Sequence, residues 1–399
     1  MTSSPLPVVR LKPKMDPRRI RWGFPWVYDN ELVLDRRTKA LPAGTLAELQ
    51  DGDRRPLALV AVNPSSRIFG RVLSRDPSTP IDADWFTRRL TAAHEMRARC
   101  FEAPFYRLIH AEADGLPGVI IDRFGDTCVI QPNAAWADVR FDTLAAATLA
   151  VTGATSIIKN GTGRARGLEG LPEVTEVTHG SPPPVVDVPM NGAIYKADLL
   201  GGQKTGLFFD QRPNHRFFQT LSSRQSVLDV FSHVGGFGLA ALAGGAASAL
   251  CVDGSAPALE LAASGASTMG VADRFDSLRG DAFDVMTSLQ ADGRTFGSVV
   301  CDPPAFAPSK QALSAGLRAY EKTARQGALL TAPGGYLTLC SCSHAADLAS
   351  LREACQRGIG RAGRRAQLIH TGFAGPDHPQ MPGLAESGYL KALFYRLLP

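Results

Sequence analysis

From about Tyr195 onward, short apolar runs alternate with segments of helical period, and this alternation constrains the fold more than any other feature of the chain. Strand character occurs at 227–231, 249–252, 298–301 and 335–340, with a final pair near 367–370 and 391–397. Helices are expected to begin near Gly238, Ser255, Asp281 and Ala312. Regular strand–helix alternation implies a mostly parallel, doubly wound α/β sheet, because parallel neighbours need crossover connections. Ligands of such sheets bind at the carboxyl ends of the strands, so function is to be read there.

The first strand runs from Ser226 through Asp229 and Phe231 into Ser232-His233-Val234-Gly235-Gly236-Phe237-Gly238. Gly235 and Gly236 let the backbone approach a ligand, and the following helix N-terminus favours negative charge. Gly236, Gly238 and Ala241 also fit the dinucleotide pattern G-x-G-x-x-A, so a nicotinamide enzyme competes at this point. Asp253 ends the second strand, 24 residues after Asp229 (253 − 229), where a carboxylate can accept hydrogen bonds from ribose hydroxyls or cap the next helix. Asp281 ends the third strand, where an acid meets an adenine amine or again caps a helix.

The fourth strand ends in Asp302-Pro303-Pro304-Ala305-Phe306. Two prolines after an acid make a stiff turn without N–H donors. The carboxylate and carbonyls are then free to face a polar planar group, and Phe306 offers a stacking surface. Holding a nucleobase beside a methyl donor calls for such a turn, and hydride transfer does not, which favours methyl transfer from S-adenosylmethionine. The fifth strand ends in Cys340-Ser341-Cys342-Ser343-His344. A thiol there suits methylation at C5 of a pyrimidine, a carbon that becomes nucleophilic only after a thiolate adds at C6. Asp302 is placed to assist at N3. Cys340 and Cys342 fall on one face of a continuing strand, so spacing does not choose between them. An inert core role and a partial metal site with His344 stand as alternatives, the latter without the usual second ligand pair.

Residues 1–80 carry strand-like runs at 25–28, 45–49, 57–62 and 68–73 and no long helical period, the pattern of a small β-barrel. Six cations (Arg10, Lys12, Lys14, Arg18, Arg19, Arg21) against Asp16 form the clearest basic cluster, which can neutralise phosphates or form a solvated face. Trp22 and Trp26 are expected in the barrel core. Residues 81–185 read as a small α+β unit: a helix over 82–100 capped by Asp82 or Asp84, a turn at 113–118, and a strand at 119–121. A hairpin turn at 122–126, a helix near 141–151 and a strand at 156–159 complete it. Gly180-Ser181-Pro182-Pro183-Pro184 has linker composition, and the third domain is placed at 190–399. Seven cysteines, an odd number and mostly inside apolar runs, argue for reduced thiols. With no apolar run long enough to span a membrane and no secretory leader at the N-terminus, a cytoplasmic location is expected.

With these residues assembled, the chain resembles the bacterial large-subunit (23S) ribosomal RNA cytosine-C5 methyltransferase family over nearly its whole length. The marks are Arg21-Trp22-Gly23-Phe24-Pro25-Trp26-Val27, Glu112-Ala113-Asp114-Gly115-Leu116-Pro117-Gly118 and Asp122-Arg123-Phe124-Gly125-Asp126. Further marks are Gln203-Lys204-Thr205-Gly206-Leu207-Phe208-Phe209-Asp210-Gln211-Arg212, Asp302–Phe306 and Ser341-Cys342-Ser343. The resemblance implies a PUA-like RNA-binding β-barrel, a small α+β middle domain and a Rossmann-like class I methyltransferase domain. It implies Cys342 and Asp302 as catalytic residues. It also implies Gln211, Arg212, Asp229, Phe231, Gly235, Gly236, Asp253, Asp281 and Asp302 as S-adenosylmethionine contacts. Pro303, Pro304, Phe306 and Lys204 are then expected to meet an RNA substrate, with no metal, no membrane partner and a homodimer allowed. The chain departs from the family pattern at Phe24, where His is frequent, and at His344, where a small residue is usual.

Overall fold

The computed structural model describes residues 5–202 and 206–399. The described chain gathers into two compact units. The first takes the chain up to Pro184 with 199–202 and Pro376–Leu384; the second takes Val185–Asp198, Gly206–Gly375 and Ala385–Pro399. Their first boundary falls at the end of the Pro182–Pro184 run.

The first unit contains two five-stranded sheets. In one, Val8–Arg10, Thr45–Gln50, Pro56–Val62, Gly70–Ser74 and Trp26–Val27 lie side by side in that order. Val9, Leu11, Ile20, Ala47, Leu49, Val60 and Phe69 fill its core. The basic segment is therefore built into the sheet: Val8–Arg10 pairs in parallel with Thr45–Gln50, and the one-turn helix Arg18–Arg21 buries Ile20. Trp22 is not in the core, as expected from its chemistry, but 77% exposed, with the Arg18 guanidinium 5.8 Å from its ring. Ile20 holds the inward face of that turn, and a residue two positions on points nearly the opposite way.

The second sheet runs Thr175–His179, Ser156–Asn160, Thr127–Pro132, Val119–Phe124, Phe105–His110. The helices Ala83–Cys100 and Phe141–Thr152 contribute to its core, where Trp85, Phe86 and Trp136 are fully buried. Asp82 is the cap, accepting from Trp85 N at 2.9 Å. The hairpin expected over 122–126 is tighter: the strand continues to Phe124, and only Gly125 and Asp126 turn. Arg97 is sealed in this unit by a bidentate pair with Asp114, both bonds 2.7 Å, and also donates to Asp377 O at 3.0 Å, tying the late segment Pro376–Leu384 to it.

The second unit carries the seven-stranded sheet. Its strands along the chain are β1 Ser226–Val230, β2 Ser248–Asp253, β3 Phe275–Arg279, β4 Phe296–Cys301, β5 Thr331–Ser341, β6 Ala366–Gly372 and β7 Lys391–Leu397. The spatial order is β3-β2-β1-β4-β5-β7-β6. The first five are parallel and β7 is antiparallel to both neighbours. The helices are α1 Arg212–Leu221, α2 Gly236–Ala243, α3 Ala256–Thr268, α4 Ala282–Ala291, α5 Leu313–Leu330 and α6 Leu348–Arg361. Val227, Leu228, Val299, Val300, Leu337 and Leu339 are buried in near-continuous runs, as strands covered on both faces require. Chain order reverses between β1 and β4, which places the ligand crevice at their carboxyl ends. A hairpin, Val185–Met190 with Ala193–Asp198, joins this unit, and the Tyr195 hydroxyl donates to Gly236 O at 2.9 Å. Among the described residues no helix is long and apolar enough to cross a membrane.

Candidate active site at the strand ends

Beyond β1 the backbone turns sharply. Phe231 (φ 64°) and His233 (φ 50°) occupy the left-handed region, which costs a residue with a side chain about 1–3 kcal/mol. The turn is held by Ser232 N to Val252 O at 3.0 Å and by His233 N to Asp253 Oδ2 at 2.8 Å. Glycine is required at Gly238, where a Cβ would lie 2.5 Å from Cys251 Sγ. Gly235, at φ 79°, precedes the first turn of α2. Asp229 lies beneath this loop rather than on its face. It is 0% exposed, and its Oδ2 accepts from Phe237 N at 3.1 Å and Gly238 N at 2.8 Å. Burial pushes its carboxyl up to about 7, against the pull of those two amides.

Asp253, half-buried at the end of β2, bonds His233 N through Oδ2 and Ser255 N through Oδ1 at 2.9 Å, so it ties the loop to β2. Asp281 is exposed and caps α4 through Phe283 N at 2.9 Å and Asp284 N at 3.2 Å. Phe231 and Phe306 complete an aromatic triangle with Phe283, their centroids 6.1–6.3 Å apart. Sequence reading missed Phe283; its signal is an aromatic two residues after a strand-end acid.

At β4 the polar groups are held differently. Asp302 Oδ2 accepts from Gln211 Nε2 at 2.9 Å, while Gln211 Oε1 accepts from Asn214 Nδ2 at 2.7 Å. The Asp210-Gln211-Arg212 run thus lands on the acid of the Asp-Pro-Pro turn. Arg212 begins α1, its guanidinium 5.4 Å from the Phe209 ring. Pro303 is buried and Pro304 exposed. Lys204 lies outside the described residues.

The two cysteines of the next strand are separated by their surroundings. Cys340 is within β5 and buried, and burial drives its thiol well above the ordinary range. Cys342 is one residue past the end of β5 and half-buried, and its thiol donates to Pro303 O at 4.0 Å. Cys251, Cys301, Cys340 and Cys355 are all buried, so Cys342 is the accessible thiol of the second unit. Its neighbours are clamped. The Tyr320 hydroxyl lies 2.8 Å from both Ser341 Oγ and Ser343 Oγ, and Ala307 N donates to Ser343 Oγ at 3.0 Å. From β7, buried Lys391 donates to Ser343 O at 2.8 Å and Ala346 O at 2.7 Å. Burial lowers the pKa of that ammonium, while the Cys342 thiol and Asp347 act the other way. Lys391 was not singled out in the sequence, although a lysine opening an apolar terminal strand is a visible anomaly. His344 is exposed, and no cluster of three His, Cys, Asp or Glu able to hold a metal occurs among the described residues.

A 3-2-1-4-5-7-6 sheet with a glycine turn after β1, acids at β2 and β3 and an Asp-Pro-Pro turn after β4 defines a class. Residues 98–396 match the model of the S-adenosylmethionine-dependent methyltransferases, and the chain belongs to that family. Residues 9–75 match a PUA-like domain. Among curated proteins, it is 35% identical to Ribosomal RNA large subunit methyltransferase I of Aeromonas salmonicida, over 93% of this chain and 95% of that one. It is 34% identical to the protein of the same name from Vibrio cholerae serotype O1, over 96% and 97%. Among solved structures, SMU.776 complexed with SAH superposes with TM-score 0.83 at 18% identity, covering 98% of this chain and 100% of that one. The nicotinamide reading falls with these matches: S-adenosylmethionine is the cofactor.

Proposed function

We propose that the chain methylates C5 of a cytosine in large-subunit ribosomal RNA through a covalent adduct with Cys342. The relatives' names support the RNA class. The observation that carries the chemistry is the accessible Cys342 thiol against Pro303, the residue following Asp302. The target base is unstacked into the crevice. The Cys342 thiolate adds to C6, forming a C–S bond, and Asp302 delivers a proton or hydrogen bond at N3 that receives the displaced electron pair. Bound S-adenosylmethionine supplies an electrophilic methyl group. C5, now an enamine carbon, would be nucleophilic enough to accept that methyl group. Loss of the C5 proton to a base, with return of the N3 proton to Asp302, would then restore the C5–C6 double bond and expel the thiolate. Asp253 would hold the ribose hydroxyls: each of its oxygens makes one backbone bond and retains further acceptor capacity. The turn at Phe231–Gly236 and the Phe231–Phe283–Phe306 triangle would line the rest of the cofactor site.

Cys342→Ala is expected to reduce methyl transfer by about 10³-fold or more, as loss of a nucleophile does, while calorimetry still detects S-adenosylmethionine binding. Mass analysis of nucleosides from treated rRNA is expected to show 5-methylcytidine with the unaltered protein. Full turnover by Cys342→Ala, or an N-methyl nucleoside as product, overturns the reading.

A further inference from the structure

Two of the marked sequence motifs play no part at the strand ends, and within the first unit they meet. The Trp26 indole N–H donates to Glu112 Oε1 at 2.8 Å, and Arg71 reaches the same oxygen at 3.0 Å. Arg71 also pairs with Glu169 at 3.0 Å, and Asn63 holds that carboxylate at 2.9 Å. Trp26, Arg71, Glu112 and Glu169 line a cleft of about 890 Å³, together with Tyr28, Ile120 and Asn133.

We propose that this cleft binds a short single-stranded run of the RNA substrate, receiving unstacked bases against Trp26 and Tyr28. The inference rests on RNA being the substrate. The volume is at the upper end of the roughly 300–1,000 Å³ of small-ligand sites, but Asn30, Ser65 and Arg67 on the rim are exposed, which lets a chain enter and leave. Pairing leaves the carboxylates of the cleft with one net negative charge, which the two rim cations outweigh. Glu31 is paired with Arg19 at 2.6 Å, and Glu112 and Glu169 share Arg71. Cations stand at the rim: exposed Arg67 makes no ion pair among the described residues, and Lys12 Nζ bonds Asn30 O at 2.9 Å. Positive rim and aromatic floor are what single strands require, phosphates outside and bases stacked within. The cleft also depends on Gly118 (φ 76°), where a Cβ would meet Ala134 Cβ at 2.7 Å and Arg71 at 3.5 Å.

The test uses the full-length protein and a short mixed-sequence oligoribonucleotide carrying 4-thiouridine. Photocrosslinks are expected on the peptide bearing Trp26 and Tyr28. Tyr28→Leu is expected to weaken oligoribonucleotide binding about tenfold, the scale of one lost stacking contact, and to raise the KM for RNA with kcat and cofactor affinity unchanged. Arg67→Ala, at an exposed position that folding does not need, is expected to reduce the salt dependence of binding by about one phosphate contact. Crosslinks confined to other peptides, or unchanged binding in both variants, overturn the proposal, as does equal competition by duplex RNA or by an unstructured acidic peptide. Cys342→Ala is expected to keep the crosslinks. If the unaltered protein methylates RNA while the cleft stays silent, only this inference fails; if it binds no RNA at all, the functional reading fails first.

Discussion

The ends of β1, β2 and β3 and the ends of β4 and β5 lie on one rim of one sheet, yet their polar groups are held in opposite ways. In the first set each acid bonds backbone amides: Asp229 those of Phe237 and Gly238, Asp253 those of His233 and Ser255, Asp281 those of Phe283 and Asp284. In the second set the partners are side chains from other elements. Gln211 reaches Asp302 across 91 positions, Tyr320 reaches Ser343 across 23, and Lys391 reaches the Ser343 carbonyl across 48. Backbone-bonded acids shape the loops beside them. The thiol and the carboxylate that the proposed chemistry would bring to a base edge stand instead beside groups held by side chains from three other elements, which fixes their direction.

If that contrast is real, the β4–β5 end is the one where substitution harms rate most. Asp302→Asn is expected to lower kcat about 10²-fold, the scale of a lost general acid, with the cofactor still bound in calorimetry. Unchanged kcat would place Asp302 with the scaffold acids instead. Lys391→Met removes a buried cation beside the Cys342 loop. It is expected to slow iodoacetamide labelling of the Cys342 peptide at neutral pH about tenfold, the effect of one pKa unit on thiolate fraction. A labelling profile against pH identical to that of the unaltered protein would reduce Lys391 to a purely structural clamp.

Asp229 tests the other side of the comparison. Its folded carboxyl is raised to about 7 from 3.8, so between those values the native state holds a proton that the unfolded chain has released. Its contribution to stability is full below about pH 4, falls as pH rises toward 7 and is flat above, with a slope of at most about 1.4 kcal/mol per pH unit. Asp229→Asn is expected to lack this slope in melting curves taken across that range; an unaltered slope would assign the proton elsewhere. Cys340→Ala is expected to cost least, lowering Tm by a few degrees through a small cavity while 5-methylcytidine formation persists. Loss of product in that variant would reopen the choice between the two thiols.

Strands β1, β2, β4 and β7 were legible to within a residue or two, because buried parallel strands are dense apolar runs bounded by glycine, acid or proline. Val8–Arg10 and Thr175–His179 were not read as strands. They are short edges whose identity comes from pairing with Thr45–Gln50 and Ser156–Asn160 rather than from their own pattern. Trp22 was misplaced for a related reason: in a one-turn helix, burial of Ile20 decides which way its neighbours face.

The same division runs through the site. By itself the sequence determined the α/β alternation, the glycine turn, the strand-end acids, the Asp-Pro-Pro turn and two thiols in a Cys-x-Cys run. Each follows from local geometry or residue chemistry. Only the tertiary structure decided that Asp229 is sealed while Asp302 is presented, that Gln211 and Lys391 lie at the β4–β5 end, and that Cys342 rather than Cys340 is accessible. Those outcomes depend on where β5 stops and on contacts closed across tens of residues, and a one-dimensional pattern carries neither.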